Sequence, residues 1–156
     1  MKTEYLNFYN NLVKLTTNKS LYSDIINPQD TFSDRLSLFL FHFAFILKQF
    51  KTADNEKKLQ ELYDFNFRQL ELSIREIGYG DQSINKKMKD YLNLFHTIIS
   101  EIHFWDDMEL AKKNECLSKF LQNFKNIDFL IEYFEEFSSN LKKYNLNSFL
   151  KSVNSH

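Results

Sequence analysis

Charged side chains gather around the only two glycines of the chain, Gly78 and Gly80, and they are the first candidates for binding chemistry. Arg75 and Glu76 precede the glycines, and Asp81 follows them directly. The arginine can satisfy the last carbonyls of a helix or pair with Asp81. It can equally form charge-assisted hydrogen bonds with a carboxylate or phosphate of another molecule. The sequence leaves the structural and the binding role of this arginine open.

An aromatic residue and three lysines belong to the same stretch. Tyr79 lies between the glycines, and Lys86, Lys87 and Lys89 follow soon afterwards. Local positive charge of this kind can bind phosphate groups of RNA or of anionic lipid. The formal net charge of the whole chain is −1 and its pI is near 6.4, so no global attraction to nucleic acid exists. Any such contact must be local, and we expect no DNA binding.

One face of the helix predicted before the glycines carries alternating charges, at Asp64, Arg68, Glu71 and Arg75. These residues are four, three and four positions apart, which is the spacing of neighbours on a helix surface. Pairs of this kind contribute only about 0.3–0.5 kcal/mol each. For Asp64 and Arg68 we therefore favour an ordinary solvated face, with Asp64 and Glu71 in structural roles.

Two further polar residues stand in an apolar stretch. Arg35 lies near the start of a predicted helix, where a positive charge opposes the helix dipole, so we expect it to pair with an acid, Glu76 or Asp81. His42 is isolated in the apolar run that follows. A histidine in this position is predicted to be a hydrogen-bonded core residue rather than a ligand.

Metal, haem and catalytic sites find little support in the sequence. His96 and His103 are seven residues apart, about 10.5 Å along a helix, which is too far to share one ion. The single cysteine, Cys116, excludes an intrachain disulfide. The sequence has no Glu-x-x-His pair, no CxxCH haem sequence and no glycine-rich phosphate loop, and we make out no Ser–His–Asp arrangement. We predict no enzyme, no metal and no cofactor.

A helix, a two-glycine corner and a second helix are predicted to position the charged residues. Gly78 should end the first helix in the left-handed conformation, and Asp81 is the expected N-cap of the second. Apolar residues recur every three or four positions on both sides of the corner, and these are predicted to face inward: Leu59, Tyr63, Phe67, Leu70, Ile74 and Ile77, then Ile84, Met88, Tyr91, Phe95, Ile98 and Ile102.

The segment before this hairpin is also predicted to be helical. A first helix should bury Tyr5, Phe8, Leu12 and Leu15, and a short helical piece at 21–26 should end at Asn27-Pro28. A capping box at 31–34 then opens a helix whose run 36–47 is almost entirely apolar. This run is shorter than the ~20 residues that span a bilayer, so we predict a central helix surrounded by the others.

Three more helices are predicted after the hairpin. Asp106-Asp107 is expected to cap one, Asn126 or Asp128 the next, and a last short helix should cover 146–153. The residues predicted to face inward are Leu110, Leu117, Leu121 and Phe124, then Ile127, Ile131, Phe134, Leu141 and Tyr144. With only two Gly and one Pro in 156 residues, the sequence predicts an all-α, bundle-like single domain over residues 1–156, of about six to eight helices around a central apolar helix.

Several of these stretches together resemble a known family. The run LSIREIGYGD at 72–81, followed by KKMK at 86–89 and preceded by DTFSDRL at 30–36 and by His42, is similar to the ubiquinol-cytochrome c chaperones. The similarity covers roughly 21–89 and is most specific at 73–81. It implies an assembly chaperone that helps to build cytochrome b into respiratory complex III.

The resemblance also implies partners, and the residues themselves add a candidate binding surface. Mitochondrial members act near the ribosomal tunnel exit with a small partner protein. The expected partners are therefore newly synthesised cytochrome b or a complex III assembly intermediate, together with the ribosome or a second small chaperone. The expected partner-binding residues are Arg35, Arg75, Glu76, Gly78, Tyr79, Gly80, Asp81, Lys86, Lys87 and Lys89.

An alternative from another class is an electrostatic adaptor that binds a membrane surface or the ribosome and has a different client. Lys86, Lys87 and Lys89 motivate this alternative, with Lys112 and Lys113 as candidate neighbours. An enzyme acting on a small hydrophobic molecule between the helices is a third and weaker hypothesis. The N-terminal MKTEYLNFYN has an acid and no apolar run, so we expect no secretory signal, and its scarcity of Arg and Ser argues against a mitochondrial transit peptide. A cytoplasmic bacterial protein is predicted, with peripheral contact at the inner membrane as an option.

Overall fold

The fold is a bundle of α-helices. A computed structural model describes residues 2–17 and 32–154, and it has no strand within these two ranges. The expected all-α class and number of helices are confirmed. The seven α-helices of the described ranges are α1 (Lys2–Thr16), α2 (Phe32–Phe50), α3 (Glu56–Ile77), α4 (Asp81–Ile102), α5 (Leu110–Phe120), α6 (Ile127–Leu141) and α7 (Leu146–Asn154). The short helix predicted at 21–26, and Thr31 of the predicted capping box, lie outside the described residues.

Helix α2 is the centre of the bundle. Every side chain from Leu36 to Ile46 is buried, because α1, α4 and α6 pack around this helix. Aromatic rings fill the contacts: Phe43 stacks on Phe95 of α4 with ring centroids 5.2 Å apart. The predicted central apolar helix is confirmed. Among the described residues, no helix combines the length and the apolar character needed to cross a membrane.

Helices α3 and α4 run antiparallel and form a long hairpin. Tyr63 and His96 are linked by a hydrogen bond of 3.1 Å far from the turn, and Arg75 and Asp81 by one of 2.7 Å beside it. Helix α1 packs along α3, where the Tyr5 hydroxyl donates to the Glu61 carboxylate. The hairpin is therefore fixed on one side by the central helix and on another by α1.

Just beyond the end of the hairpin opposite the turn, Asp106 forms ion pairs and does not act as the predicted cap of α5. Asp106 lies in a single 3₁₀ turn and binds Lys48 at 3.0 Å and Lys142 at 3.8 Å. Helix α5 begins only at Leu110, with Glu109 in the N-cap position. The prediction that Asp106 and Asp107 cap this helix is wrong. Leu110 is 64% exposed, because it starts the helix instead of lying in its apolar stripe.

The last two helices follow the sequence pattern closely. The Asn126 side chain accepts a hydrogen bond of 2.9 Å from the amide of Phe129, which confirms the predicted cap of α6. Tyr144 was predicted to face inward, but it follows the end of α6 and is 39% exposed. Helix α7 docks on α1, where the Asn11 amide donates to the carbonyl of Val153 at 3.0 Å.

Candidate functional site

The turn between α3 and α4 is built on the backbone freedom of one glycine. Gly78 ends α3 with φ 104° and ψ 16°, and its amide bonds to the carbonyl of Arg75 at 2.9 Å. Gly80 is extended, with φ −73° and ψ 162°, and its carbonyl accepts the first helical hydrogen bond of α4, from Ile84. The predicted left-handed helix end is confirmed. The turn is short and hydrogen-bonded, so it holds its side chains in fixed directions.

Arg75 bridges the two helices across this turn. Its Nη1 lies 2.7 Å from the Asp81 carboxylate, and its Nη2 lies 3.3 Å from that of Glu71. The hydrogen bonds with Asp81 and then Glu71 raise the pKa of Arg75. Asp81 was predicted as the N-cap of α4, but it is the first helical residue and Gly80 stands in the cap position without a side-chain bond. The carboxylate of Asp81 therefore serves the ion pair and not the cap.

Two large side chains of the turn face the solvent. Tyr79 is 44% exposed, and the ammonium group of Lys87 lies over its ring, 4.5 Å from the centroid. Ile77 was predicted to be inward, but it is 57% exposed because α3 ends there and its last residue projects past the core. The turn thus exposes one aromatic and one aliphatic side chain next to charged groups.

The lysines of the site differ in their surroundings. Lys86 and Lys89 are exposed, whereas Lys87 is half-buried against Tyr79. Lys113 binds Glu135 and lies over the ring of Trp105, which follows the far end of α4. Since α4 has 22 residues and is about 33 Å long, Lys113 is remote from the turn. The expectation that Lys112 and Lys113 join the first three lysines is wrong.

Arg35 lies on α2 and not on the α3–α4 hairpin. It is exposed on α2 and lines a small cavity of about 220 Å³, together with Tyr9, Phe39 and Leu70. Of the two acids predicted to pair with it, Asp81 binds Arg75. The pairing of Arg35 with Glu76 or Asp81 therefore stays a prediction.

His42 is a core residue, as predicted. Its Nδ1 lies 2.6 Å from the carbonyl oxygen of Leu38, so this nitrogen must carry the proton that is donated. Its Nε2 lies 2.6 Å from the hydroxyl of Tyr133, which donates to it. Burial lowers the pKa of His42 to about 4 and raises that of Tyr133 to about 12. Both ring nitrogens are therefore occupied, and the histidine is neutral at pH 7.

A groove between α3 and α4 has rim residues that, apart from Lys89, were not predicted as binding residues. It has a volume of about 730 Å³. Its rim carries Asp64, Arg68 and Glu71 on α3 and Asn85, Lys89 and Asn93 on α4, above a floor of Phe65, Phe67, Met88 and Leu92. The sequence did contain a signal, because the rim residues are spaced by four and three on one helix and by four and four on the other. Asp64 and Arg68 are exposed, as predicted, and their face is also one edge of a concave surface.

His96 on α4 and His103, which directly follows α4, do not form a shared site. His96 accepts or donates a hydrogen bond of 3.1 Å with Tyr63, and His103 is exposed beside Phe104. Across residues 2–17 and 32–154, no group of three or more His, Cys, Asp or Glu is placed to hold a metal ion. Burial raises the pKa of Cys116 to about 11, so its thiol stays protonated.

Comparison with protein families identifies the chain. A family model described as ubiquinol-cytochrome C chaperone matches residues 25–123, which is more than half of the sequence. The chain belongs to the ubiquinol-cytochrome c chaperone family. The match includes the whole α3–α4 hairpin and extends through α5, beyond the end at Lys89 expected from the motifs. A search of curated proteins and a search of solved structures both gave no match. Membership in this family confirms the resemblance and supports a chaperone role in the assembly of complex III.

Proposed function

We propose that this member of the ubiquinol-cytochrome c chaperone family is a non-catalytic factor that binds newly synthesised cytochrome b, or the machinery that delivers it, during assembly of complex III. The delivering machinery is the ribosome or a second small chaperone. The proposed contact is the corner surface, which consists of Arg75, Glu76, Ile77, Gly78, Tyr79, Gly80, Asp81, Lys86, Lys87 and Lys89. Arg35, on α2, remains a predicted partner contact outside this surface.

The observation that carries the proposal is the exposure of Ile77 and Tyr79 on a turn whose backbone is fixed. Exposed apolar side chains surrounded by charged groups are typical of protein-binding surfaces. A partner that covers Tyr79 gains apolar burial, and it also meets charged groups that are already oriented. The ion pair of Arg75 with Asp81 and the contact of Lys87 with the Tyr79 ring supply this orientation. Little conformational freedom is then lost on binding.

The balance of charge favours a protein client over an anionic surface. Around the turn, the four cations Arg75, Lys86, Lys87 and Lys89 are matched by the four carboxylates Glu71, Glu76, Asp81 and Asp90. A purely electrostatic adaptor for lipid or RNA requires an excess of positive charge, since each lysine near an anionic membrane contributes only about 1 kcal/mol to the free energy of binding. A mixed surface suits a partner with charges of both signs. We place the protein in the cytoplasm, with any membrane contact made through its client.

Gene deletion and complementation test this function. Deletion should lower assembled complex III and spectrally detected cytochrome b without lowering the cytochrome b transcript. Wild-type protein should restore both, and Lys86→Glu/Lys87→Glu should restore little. Lys143→Glu/Lys151→Glu is the matched control, because it reverses two exposed lysines outside the corner surface. Unchanged cytochrome b after deletion would count against the proposal.

Salt dependence separates the proposed function from the electrostatic alternative. Binding of the purified chaperone to a cytochrome b fragment or to ribosomes should be measured between low salt and a few hundred millimolar. A polybasic contact is screened over this range, because the Debye length falls to about 10 Å at 0.1 M and shortens further. Binding through apolar burial at Tyr79 should persist. Steep loss of all binding would favour the adaptor.

A further inference from the structure

We infer that the groove between α3 and α4 docks an amphipathic helix of the partner protein. The apolar stripe of this helix would lie on the groove floor, and a basic, an acidic and a second basic residue would face Asp64, Arg68 and Glu71. The inference deepens the proposed function and rests on it only for the identity of the partner. It names which kind of segment the chaperone binds: a helix with a polar face and not a bilayer-spanning one.

The length of the groove fits two turns of helix. Asp64 and Glu71 are seven residues apart on α3, about 10.5 Å, and Asn85 and Asn93 are eight apart on α4, about 12 Å. Helices that bind in grooves are anchored by residues i, i+3, i+4 and i+7, which span the same distance. A volume of about 730 Å³ accommodates several side chains of such a stripe.

The floor combines a fixed and an adaptable part. Phe67 is buried and packs against the ring of Phe95 at a centroid distance of 5.2 Å, so its position is set by the core. Met88 and Leu92 are half-buried and contribute from α4. Methionine adapts its shape to different apolar side chains. A floor of this kind is preformed and still tolerates a partner helix of variable sequence.

The rim gives the groove its chemical selectivity. Along α3 the charges alternate as acid, base and acid, where Glu71 also binds Arg75 at 3.3 Å, and α4 contributes Lys89 between two asparagines. Within the described ranges, Arg68 and Lys89 have no ion pair, so both are available to a partner carboxylate. A wholly apolar helix would cover these charges without pairing them, which costs free energy. A helix with alternating charges beside its apolar stripe is the occupant that this rim complements.

Synthetic peptides test the inference directly. One peptide of about 18 residues, long enough to form a helix alone, carries leucines at i, i+3, i+4 and i+7 flanked by Lys, Glu and Lys. A second has the three charges inverted, and a third has only apolar residues at these positions. Methyl NMR of the full-length chaperone should show the first peptide shifting the signals of Met88 and Leu92. Equal binding of all three peptides, or shifts at other methyl groups, would overturn the inference.

Charge reversal in the protein provides the second arm. Arg68→Glu should weaken binding of the first peptide by about tenfold or more, because the new carboxylate repels the central Glu of the peptide. A peptide with Lys at that centre should bind Arg68→Glu better than the wild type. Lys57→Glu is the matched control on the same helix, since Lys57 is exposed and lies 11 residues before Arg68. Lys89→Glu gives an independent variant if the first one folds poorly. If Lys57→Glu weakens binding of the first peptide to the same extent, docking in the groove is contradicted.

Cross-linking in cells separates this inference from the proposed function. A photoreactive amino acid at position 68 should cross-link to an amphipathic helix, whereas the same group at position 57 should not. A cross-link to such a helix in a protein unrelated to complex III supports the groove and overturns the proposed function. A cross-link to a bilayer-spanning segment, or none above the control, overturns the groove.

Discussion

The guanidinium of Arg75 joins the last turn of α3 to the first residue of α4 by binding Asp81, with Nη1 and Oδ1 2.7 Å apart. Both side chains remain accessible to water, Arg75 at 45% and Asp81 at 83%. An exposed pair of this kind contributes little to stability, because water and salt screen the charges. Its effect is to fix the direction in which the two charged groups point. The pair thus serves the geometry of the corner surface more than the fold.

Replacement of Arg75 should therefore separate function from stability. We expect Arg75→Ala to leave the urea midpoint of unfolding almost unchanged and to lower the yield of assembled complex III in complemented deletion cells. Lys119→Ala is the control, because it removes another exposed ion pair. Lys119 lies 3.2 Å from Glu101, and its side chain is 45% exposed, as is that of Arg75. The control should leave assembly unaffected. A large loss of stability in Arg75→Ala would show that the pair holds the turn together.

The two glycines should respond differently to substitution. Gly78 has φ 104°, a conformation that costs other residues about 1–2 kcal/mol, so Gly78→Ala should lower the free energy of unfolding by about that amount. Gly80 has an ordinary φ of −73°, and no atom lies within 4 Å of an added Cβ. Gly80→Ser should be neutral or slightly stabilising, because serine is a better N-cap. Chemical denaturation of both variants measures the difference, and equal losses would contradict the observed turn.

Tyr79 should matter for assembly and not for folding. We expect Tyr79→Ala to reduce client binding by about tenfold, since buried tyrosines are frequent hot spots of interfaces. Removal of the tyrosine ring should cost little stability in the free protein, where the side chain is 44% exposed. Tyr144→Ala is the matched control, because Tyr144 has similar exposure on another helix end. Co-purification with tagged cytochrome b and thermal unfolding are the two measurements. Equal loss of binding in both variants would argue against a localised site.

Local rules in the sequence predicted the hairpin well. The three-to-four spacing of apolar residues located α3 and α4, and Gly78 marked the end of α3 because only glycine adopts its backbone conformation easily. Asn126 was one of the two residues predicted to cap α6, and it does so because a cap depends on residues within one turn. Periodicity failed at helix ends: Ile77, Leu110 and Tyr144 continue an apolar pattern beyond the point where the core stops.

Long-range pairing is what the sequence could not supply. Asp106 is a good cap residue by type, but it forms ion pairs with Lys48 and Lys142, which are distant in sequence. The pair of Arg75 with Asp81 joins residues only six positions apart, and it was one of the roles predicted for the arginine. The groove also has a long-range origin, because its rim is assembled from two helices that pack together through contacts such as that of Phe67 with Phe95. Spacing on one helix reveals a face. It does not reveal what the neighbouring helix places opposite that face.

The buried histidine predicts a pH dependence of stability. His42 is neutral in the fold, with its pKa lowered from 6.5 to about 4 by burial. Between these two values the unfolded chain binds a proton that the folded chain does not, so stability falls as the pH falls through this window. Each pH unit below 6.5 lowers the free energy of unfolding by about 1.4 kcal/mol, so it should fall by about 2 kcal/mol between pH 7.5 and pH 5.

Urea denaturation at several pH values, with histidine variants, measures this dependence. His42→Gln should be less stable at pH 7.5, because two buried hydrogen bonds are disturbed, but its stability should change little down to pH 5. His103→Gln is the control, since His103 is exposed and its loss should preserve the wild-type slope. An unchanged slope in His42→Gln would assign the acid sensitivity to other groups. The expected result would instead show that the neutral ring, held between Leu38 and Tyr133, limits the stability of the core in mild acid.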